Sequence, residues 1–376
     1  MLFVTFNDYP GGIYYSQVID VIGYLNEWCG DKIRLVSFIS LRNFFENRRK
    51  IKTRYANTIV LPMFPGVGNW KWNRVWMFFI AVFFFRSSVI CRGIFSYHIV
   101  YPFRKIGWFR RIILDARGAY KAEFEEYRVI DDTKIIRDIE NMERAAIKTA
   151  DFKIAVSEAL VDYWKNEYQY SGKNHVVIPC SLSKNFMRKF PDKTVIDRMK
   201  ADKGFSVDDI IIVFSGSSSG WQSLKQSDEL FLKLLDENEK IKLIFLGKHK
   251  VSEYNVYKKY PGRVMQKQVE EREVLDFLYI ADYGWLVREQ SITNRVASPV
   301  KFAEYLSAGL KVIISENLGD YSEFCVKNDC GIVVKNNEFI QVSKQEYEEK
   351  LRIHHLAMQY FTKERYKSEY EKVIKG

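Results

Sequence analysis

At 376 residues the chain is long for a single core and suits two domains of average size. With 47% hydrophobic and 28% charged residues it is neither a disordered tail nor a membrane-spanning bundle. A formal charge of +11 favours anionic partners, namely nucleoside diphosphates, acidic lipid surfaces or nucleic acid, without choosing among them.

Met1 to Phe6 reads as a first β-strand; it is too short for a signal peptide and lacks a basic flank. Gly11-Gly12 follows, then a helical pattern from Tyr15 to Trp28. A glycine turn between strand and helix lets backbone approach an anionic ligand, and a plain αβ turn fits equally well. Strands are expected at Ile33–Ile39 and Thr58–Phe64, with an exposed basic helix or loop over Arg42–Arg54 between them. Trp70-Lys71-Trp72-Asn73-Arg74 then leads into the apolar run Val75–Phe85. Eleven residues cannot cross a bilayer as a helix, where about twenty are needed. Two readings stay open: a helix that dips into one leaflet's interface, or one buried between sheet and neighbour.

A strand at Ser88–Cys91 precedes a further basic, aromatic segment, Tyr97–Arg111. Such a first half suits an acidic membrane carrying a lipid acceptor; no nucleic-acid motif or concentrated basic helix is present, so nucleic acid is not expected as a partner. The strand Arg111–Leu114 delivers Asp115 and Arg117 at its carboxyl end, where open α/β sheets bind ligands; the two either line a site or pair with each other. A helix over Ile135–Thr149 carries Glu143, and Ser157 ends the strand Phe152–Ser157, either facing the site or capping the next helix. A short strand, Val176–Cys180, closes this half, and the boundary falls near Ser181.

In the second half Ile210–Phe214 is a buried strand whose loop contains Gly216 and Ser217, the kind of turn that cradles a diphosphate. Strands at Ile241–Leu246, Arg263–Gln266 and Tyr283–Val287 alternate with helices at Ser252–Tyr260 and Glu271–Ile280, which makes a parallel sheet with Gly216, Arg288, Glu289 and Ser298 on its carboxyl-end loops. The most informative stretch is Ser298 to Ser315. Ser298 offers a capping oxygen, Pro299 suits a first helical turn, and the helix runs to Ala308 and stops at Gly309 before a buried strand, Val312–Ile314. Lys301 and Glu304, three residues apart, share a face close to the helix N-terminus. Cys330–Val334 is another strand, and Gln345–Ile374 a charged helical tail.

The five cysteines (29, 91, 180, 325, 330) form no CxxC pair and lack histidine partners at zinc spacing, so they read as reduced thiols of a cytosolic protein with no metal site.

The stretch SPVKFAEYLSAGLKVI resembles the nucleotide-binding signature of retaining glycosyltransferases of the GT-B fold, family 4. The resemblance implies that Glu304 holds the ribose of a nucleoside diphosphate sugar while backbone N–H groups around Ser298 and Pro299 meet its diphosphate. The family's earlier glutamate, eight positions before this one and bound to the donor sugar, falls on Val296, and Glu289 replaces it if the intervening loop is longer. The family's Arg and Lys in the loop after Phe214 are Ser and Gln here, which leaves Arg288 and Lys301 to supply positive charge. Gly11-Gly12 matches the pair that faces the donor diphosphate, Asp115-Ala116-Arg117-Gly118 a stretch on the acceptor side, ERAAIKTADFKIAVSEAL the end of the family's N-terminal domain, and Glu316–Asp320 the loop meeting the nucleotide.

Implied by the resemblance is an α/β protein of two Rossmann-like domains facing across a cleft: 1–180 on the acceptor side, 181–355 holding the donor, and 356–376 crossing back. The expected reaction is metal-independent transfer of a sugar, with retention, to a glycan or lipid-linked acceptor, by a cytoplasmic enzyme at the inner face of the membrane. Asp115, Arg117, Arg288 and Glu289 are the expected catalytic residues. Gly11, Gly12, Gly216, Ser217, Arg288, Ser298, Pro299, Lys301 and Glu304 are the expected donor contacts, with no cofactor beyond the sugar nucleotide. A sugar-nucleotide epimerase or hydrolase of the same fold, and a non-catalytic binding subunit, are the alternatives.

Overall fold

The structure is a computed structural model that describes residues 1–30, 32–127, 133–216, 224–335, 338 and 340–375. The chain forms two compact units: 1–183 with 296–298 and 363–376, and 184–295 with 299–362. The first division lies three residues beyond the expected boundary. Thus 356–362 stays with the second unit, and Val296–Ser298 joins the first.

In the first unit seven parallel strands, β1 (Leu2–Phe6), β2 (Arg34–Ile39), β3 (Thr58–Pro62), β4 (Ser88–Arg92), β5 (Arg111–Asp115), β6 (Phe152–Ala155) and β7 (His175–Val177), lie in the order β3-β2-β1-β4-β5-β6-β7. Helices cover both faces, so central strands such as Arg34-Leu35-Val36-Ser37-Phe38-Ile39 are apolar almost throughout rather than alternating. One core holds Tyr97, Phe109 and Trp164; the other, across the sheet, holds Phe3, Ile113 and Val373. The C-terminal helix Lys367–Lys375 is tied here by the Arg111 guanidinium, which donates to the Val373 carbonyl at 2.8 Å, and by Tyr370 against Trp28.

The second unit has six parallel strands, β8 (Ile210–Ser215), β9 (Ile241–Leu246), β10 (Val264–Lys267), β11 (Tyr283–Leu286), β12 (Lys311–Ser315) and β13 (Gly331–Val334), ordered β10-β9-β8-β11-β12-β13. The helix after β11 spans Val300–Ser307, with Pro299 in the cap position and Gly309 at φ +77 beyond its end. Expected helix Ser252–Tyr260 is broken into a short turn, Val251–Glu253, and a helix, Asn255–Lys259. The aromatic helix spans Arg74–Phe83 and is not buried all round: Met77, Ile80 and Ala81 are buried, whereas Phe78, Phe79, Val82 and Phe83 are exposed.

Candidate functional site

In the second unit the polar groups of interest collect at the carboxyl ends of β8, β9 and β11, as βα units require. Gly216 follows β8 and donates its N–H to the Leu246 carbonyl at 3.1 Å. Gly247, after β9, sits at φ +128 with Gly216 so near that a Cβ would lie 2.4 Å from its carbonyl oxygen, which restricts the position to glycine. His249, two residues on, is buried and approaches the Leu246 carbonyl at 3.3 Å. Arg288 follows β11; its N–H donates to the Ser315 hydroxyl at 3.0 Å and its guanidinium to Asn294 Oδ1 at 3.3 Å. Asn294 in turn donates from Nδ2 to the Glu289 carbonyl at 3.1 Å and accepts the Gly319 N–H at its own carbonyl, so the loop after β11 is fastened at both ends.

The helix Val300–Ser307 brings Lys301 and Glu304 to this group. Burial holds the Lys301 ammonium below its ordinary value, Glu304 counters that, and Arg288 adds to it. Burial likewise lowers the His249 imidazole, with Lys301 contributing. Lys301 therefore lies within electrostatic reach of Arg288, Glu304 and His249. The helix is seated by Tyr305, fully buried, whose ring occupies the space above Gly284 where a Cβ would lie 2.3 Å away. Its hydroxyl accepts the Ser215 N–H at 2.9 Å, which fixes the end of β8 relative to the helix.

Gly216, Arg288, Lys301 and Glu304 are thus brought together, and Glu289 borders them through its backbone. Ser217 lies outside the described residues. Ser298 departs from expectation. Its hydroxyl accepts the Cys180 N–H at 2.8 Å within the first unit, and the helix has no side-chain cap at Pro299. Val296, where the resemblance would put its earlier glutamate, is buried in the first unit's core with its carbonyl accepting the Ser157 hydroxyl at 2.8 Å. Ser157 also caps its own helix by accepting the Leu160 N–H at 3.0 Å.

The first unit carries a buried ionic chain at the carboxyl ends of β1, β4 and β5. Strand register sets Arg92 beside Asp115, and their side chains meet at 3.2 Å. Arg117 takes the other Asp115 oxygen at 3.2 Å and donates to Cys180 Sγ at 2.7 Å. Asp8 lies 3.7 Å from Arg92, and burial pushes its carboxyl up although Arg92 opposes this. Asp115 and Arg117 hence form the pair that the sequence left open, with Arg92, Asp8 and Cys180 as members it did not indicate. Gly11 is extended ahead of the short helix Gly12–Tyr14 and accepts the Tyr15 N–H at 2.9 Å. Glu143 is buried and its oxygens accept the N–H groups of Tyr120 and Lys121, at 3.0 and 2.9 Å, and the Tyr168 hydroxyl at 3.0 Å; burial pushes its carboxyl up to about 7. Among the described residues no cluster of three His, Cys, Asp or Glu is arranged to hold a metal. All five cysteines are free thiols.

Two parallel-sheet α/β units of seven and six strands define the GT-B fold. No family profile and no curated protein sequence matches the chain. Solved structures do: sucrose-phosphate synthase from Thermosynechococcus elongatus (TM-score 0.68, 11% identity, 100% of this chain and 98% of that one) and HepE from Anabaena in complex with UDP and glucose (0.67, 12%, 100% and 99%). A glycosyltransferase from Rickettsia africae aligns at TM-score 0.68 and 13% identity over 99% of this chain and 96% of that one. At these identities the likeness is one of fold.

Proposed function

We propose that the protein is a glycosyltransferase that moves a sugar from a nucleoside diphosphate sugar to the hydroxyl of a glycan or lipid-linked acceptor, with retention of configuration. The observation that carries this reading is the Arg288, Lys301 and Glu304 cluster at the carboxyl edge of the second sheet, beside the glycine pair Gly216 and Gly247. Two cations suit a diphosphate, whose charge grows as the glycosidic bond breaks, so fixed positive charge there lowers the barrier without a metal ion. Glu304 is the proposed acceptor of ribose hydroxyl hydrogen bonds. Glu289 is the proposed contact to the donor sugar, and the first unit, with Gly11, Gly12 and the ends of β4 and β5, the proposed acceptor side. Likeness of fold to HepE, solved with UDP and glucose, supports a uridine nucleotide as first choice.

Release of UDP from a panel of UDP-sugars, with and without glycan and lipid acceptors, tests this reading. Acceptor-dependent release with a glycosylated product is expected. Release that no acceptor accelerates would point to a hydrolase, conversion of the UDP-sugar to its epimer without net release to an epimerase, and the absence of any nucleotide-induced thermal shift to a subunit that uses the fold to bind a partner other than a nucleotide.

A further inference from the structure

The first unit has a surface that its own fold leaves unexplained. The helix Arg74–Phe83 is apolar all round: Met77, Ile80 and Ala81 face the core, while Val75, Phe78, Phe79 and Val82, spaced i, i+3, i+4 and i+7, face solvent. Phe83, 82% exposed, extends this face. The loop after the neighbouring helix Gly93–Lys105 continues it, with the Trp108 ring 5.4 Å from Phe78 and its carbonyl accepting the Arg86 N–H at 2.7 Å. Ile106 beside it is 61% exposed. Apolar surface in one contiguous patch marks a binding face rather than ordinary surface.

Charge selects the partner. Residues 47–114 contain thirteen lysines and arginines and no aspartate or glutamate. Lys71 and Arg86, on either side of the helix in sequence, and Lys105 and Arg110, on either side of the Ile106–Trp108 loop, are all exposed, and Arg86 lies over the exposed Phe85 ring. A protein partner would have to be acidic and greasy at once, and a single-stranded nucleic acid could stack bases on the rings but has no hydrocarbon to cover the exposed Val75, Val82 and Ile106; an anionic bilayer offers phosphate at the rim and hydrocarbon below it. Ten residues of helix reach about 15 Å, half the roughly 30 Å hydrocarbon core, so the helix lies in the interface rather than across it. Among the described residues no helix is long and apolar enough to span a membrane.

We propose that this face, the Arg74–Phe83 helix with the Ile106–Trp108 loop, docks the protein on an anionic lipid bilayer. The test is co-sedimentation of the full chain with vesicles of phosphatidylcholine alone and of phosphatidylcholine mixed with phosphatidylglycerol. Binding is expected to the mixed vesicles only, and to weaken with salt. The double variant Phe79→Ser/Phe83→Ser is expected to lower the partition coefficient by about a hundredfold, roughly tenfold per ring, with circular dichroism and thermal unfolding unchanged. Should that variant fold poorly, the Phe83→Ser single variant gives the same reading at a position that touches little of the core. Protein that stays in the supernatant with both vesicles, or a variant that binds as tightly as the parent, overturns the proposal. So does a concentration-dependent dimer that the variant abolishes in the absence of vesicle binding. No sugar nucleotide enters the assay, so its outcome is independent of the transferase reading.

Discussion

Replacing Tyr305 by Phe removes a single oxygen, and the structure allows its cost to be worked out. The ring would keep its place above Gly284, so little packing is lost. The hydroxyl, however, is the acceptor for the Ser215 N–H at 2.9 Å and lies 3.4 Å from the Trp285 carbonyl as donor, in a fully buried setting. Stranding a buried N–H costs about 1–3 kcal/mol. For a unit of this size each kcal/mol shifts the melting temperature by about 2–4 °C, so a loss near the middle of that range lowers it by about 4–8 °C. Urea unfolding followed by tryptophan fluorescence reports the change directly, since Trp285 lies in the same core. Ser215 immediately precedes Gly216, so nucleotide affinity should fall alongside stability. A Tyr305→Phe protein within about 0.5 kcal/mol of the parent would refute the claim that this hydroxyl fastens β8 to the helix.

Glu304→Ala should weaken nucleotide binding by about tenfold or more, the loss of charge-assisted hydrogen bonds, with unfolding unchanged; equal affinity by calorimetry removes it from the site. Glu143 binds its proton more tightly folded, near 7, than at its ordinary 4.5, so the folded state gains protons and stability should fall as pH rises from about 4.5 to 7 and level off above. Urea melts of the parent and Glu143→Gln across that range should diverge, and parallel profiles would refute this. Gly93 sits at φ +78, and a Cβ there would lie 2.1 Å from the Tyr120 hydroxyl. Gly93→Ala should cost about 2–4 kcal/mol from backbone strain plus overlap. Adding Tyr120→Phe leaves the next ring atom at 3.1 Å and should recover part of that; an unchanged double variant would show that strain alone accounts for the loss.

The strands were readable in the sequence because burial on both faces makes them unbroken apolar runs, as in Ile210 to Phe214, and their ends fall within three residues of expectation. Lys301, Glu304 and Arg288 were readable because a helix start and a strand end fix where they must point. What stayed hidden depends on adjacency that no local pattern encodes. Arg92 looked like the end of a strand next to a glycine turn, and only the β4–β5 register sets it against Asp115. Ser298 before a proline has every local mark of a cap, and nothing local announces that its hydroxyl accepts an N–H 118 residues away. His249 sits between two lysines in a polar turn, and nothing local announces its burial, although the glycine two positions earlier hints at a close approach. Tyr305 could have been inferred from Gly284, since a glycine inside an apolar strand often makes room for a neighbour. Hydropathy could not say which phenylalanines of Val75–Phe85 face out.

The two cations of the second unit's site carry a consequence for binding that is open to measurement. In the proposed donor site positive charge comes from Arg288 and Lys301, with the Glu304 carboxylate acting on Lys301 in the opposite sense. Lys301 is held below its ordinary value by burial, and Arg288 pushes in the same direction, so the site favours loss of a proton as long as no anion is present. A diphosphate reverses that balance. By linkage the bound state then holds the Lys301 proton more tightly than the free state, so nucleotide binding takes up protons, and affinity falls, as pH rises through the range where free Lys301 deprotonates. Calorimetric titration with UDP in two buffers of different ionisation enthalpy measures the uptake. Lys301→Arg keeps a charge that does not titrate, and should bind UDP without the proton uptake that Lys301 contributes. Proton uptake on binding that is the same in the parent and in Lys301→Arg at every pH would show that Lys301 does not face the diphosphate.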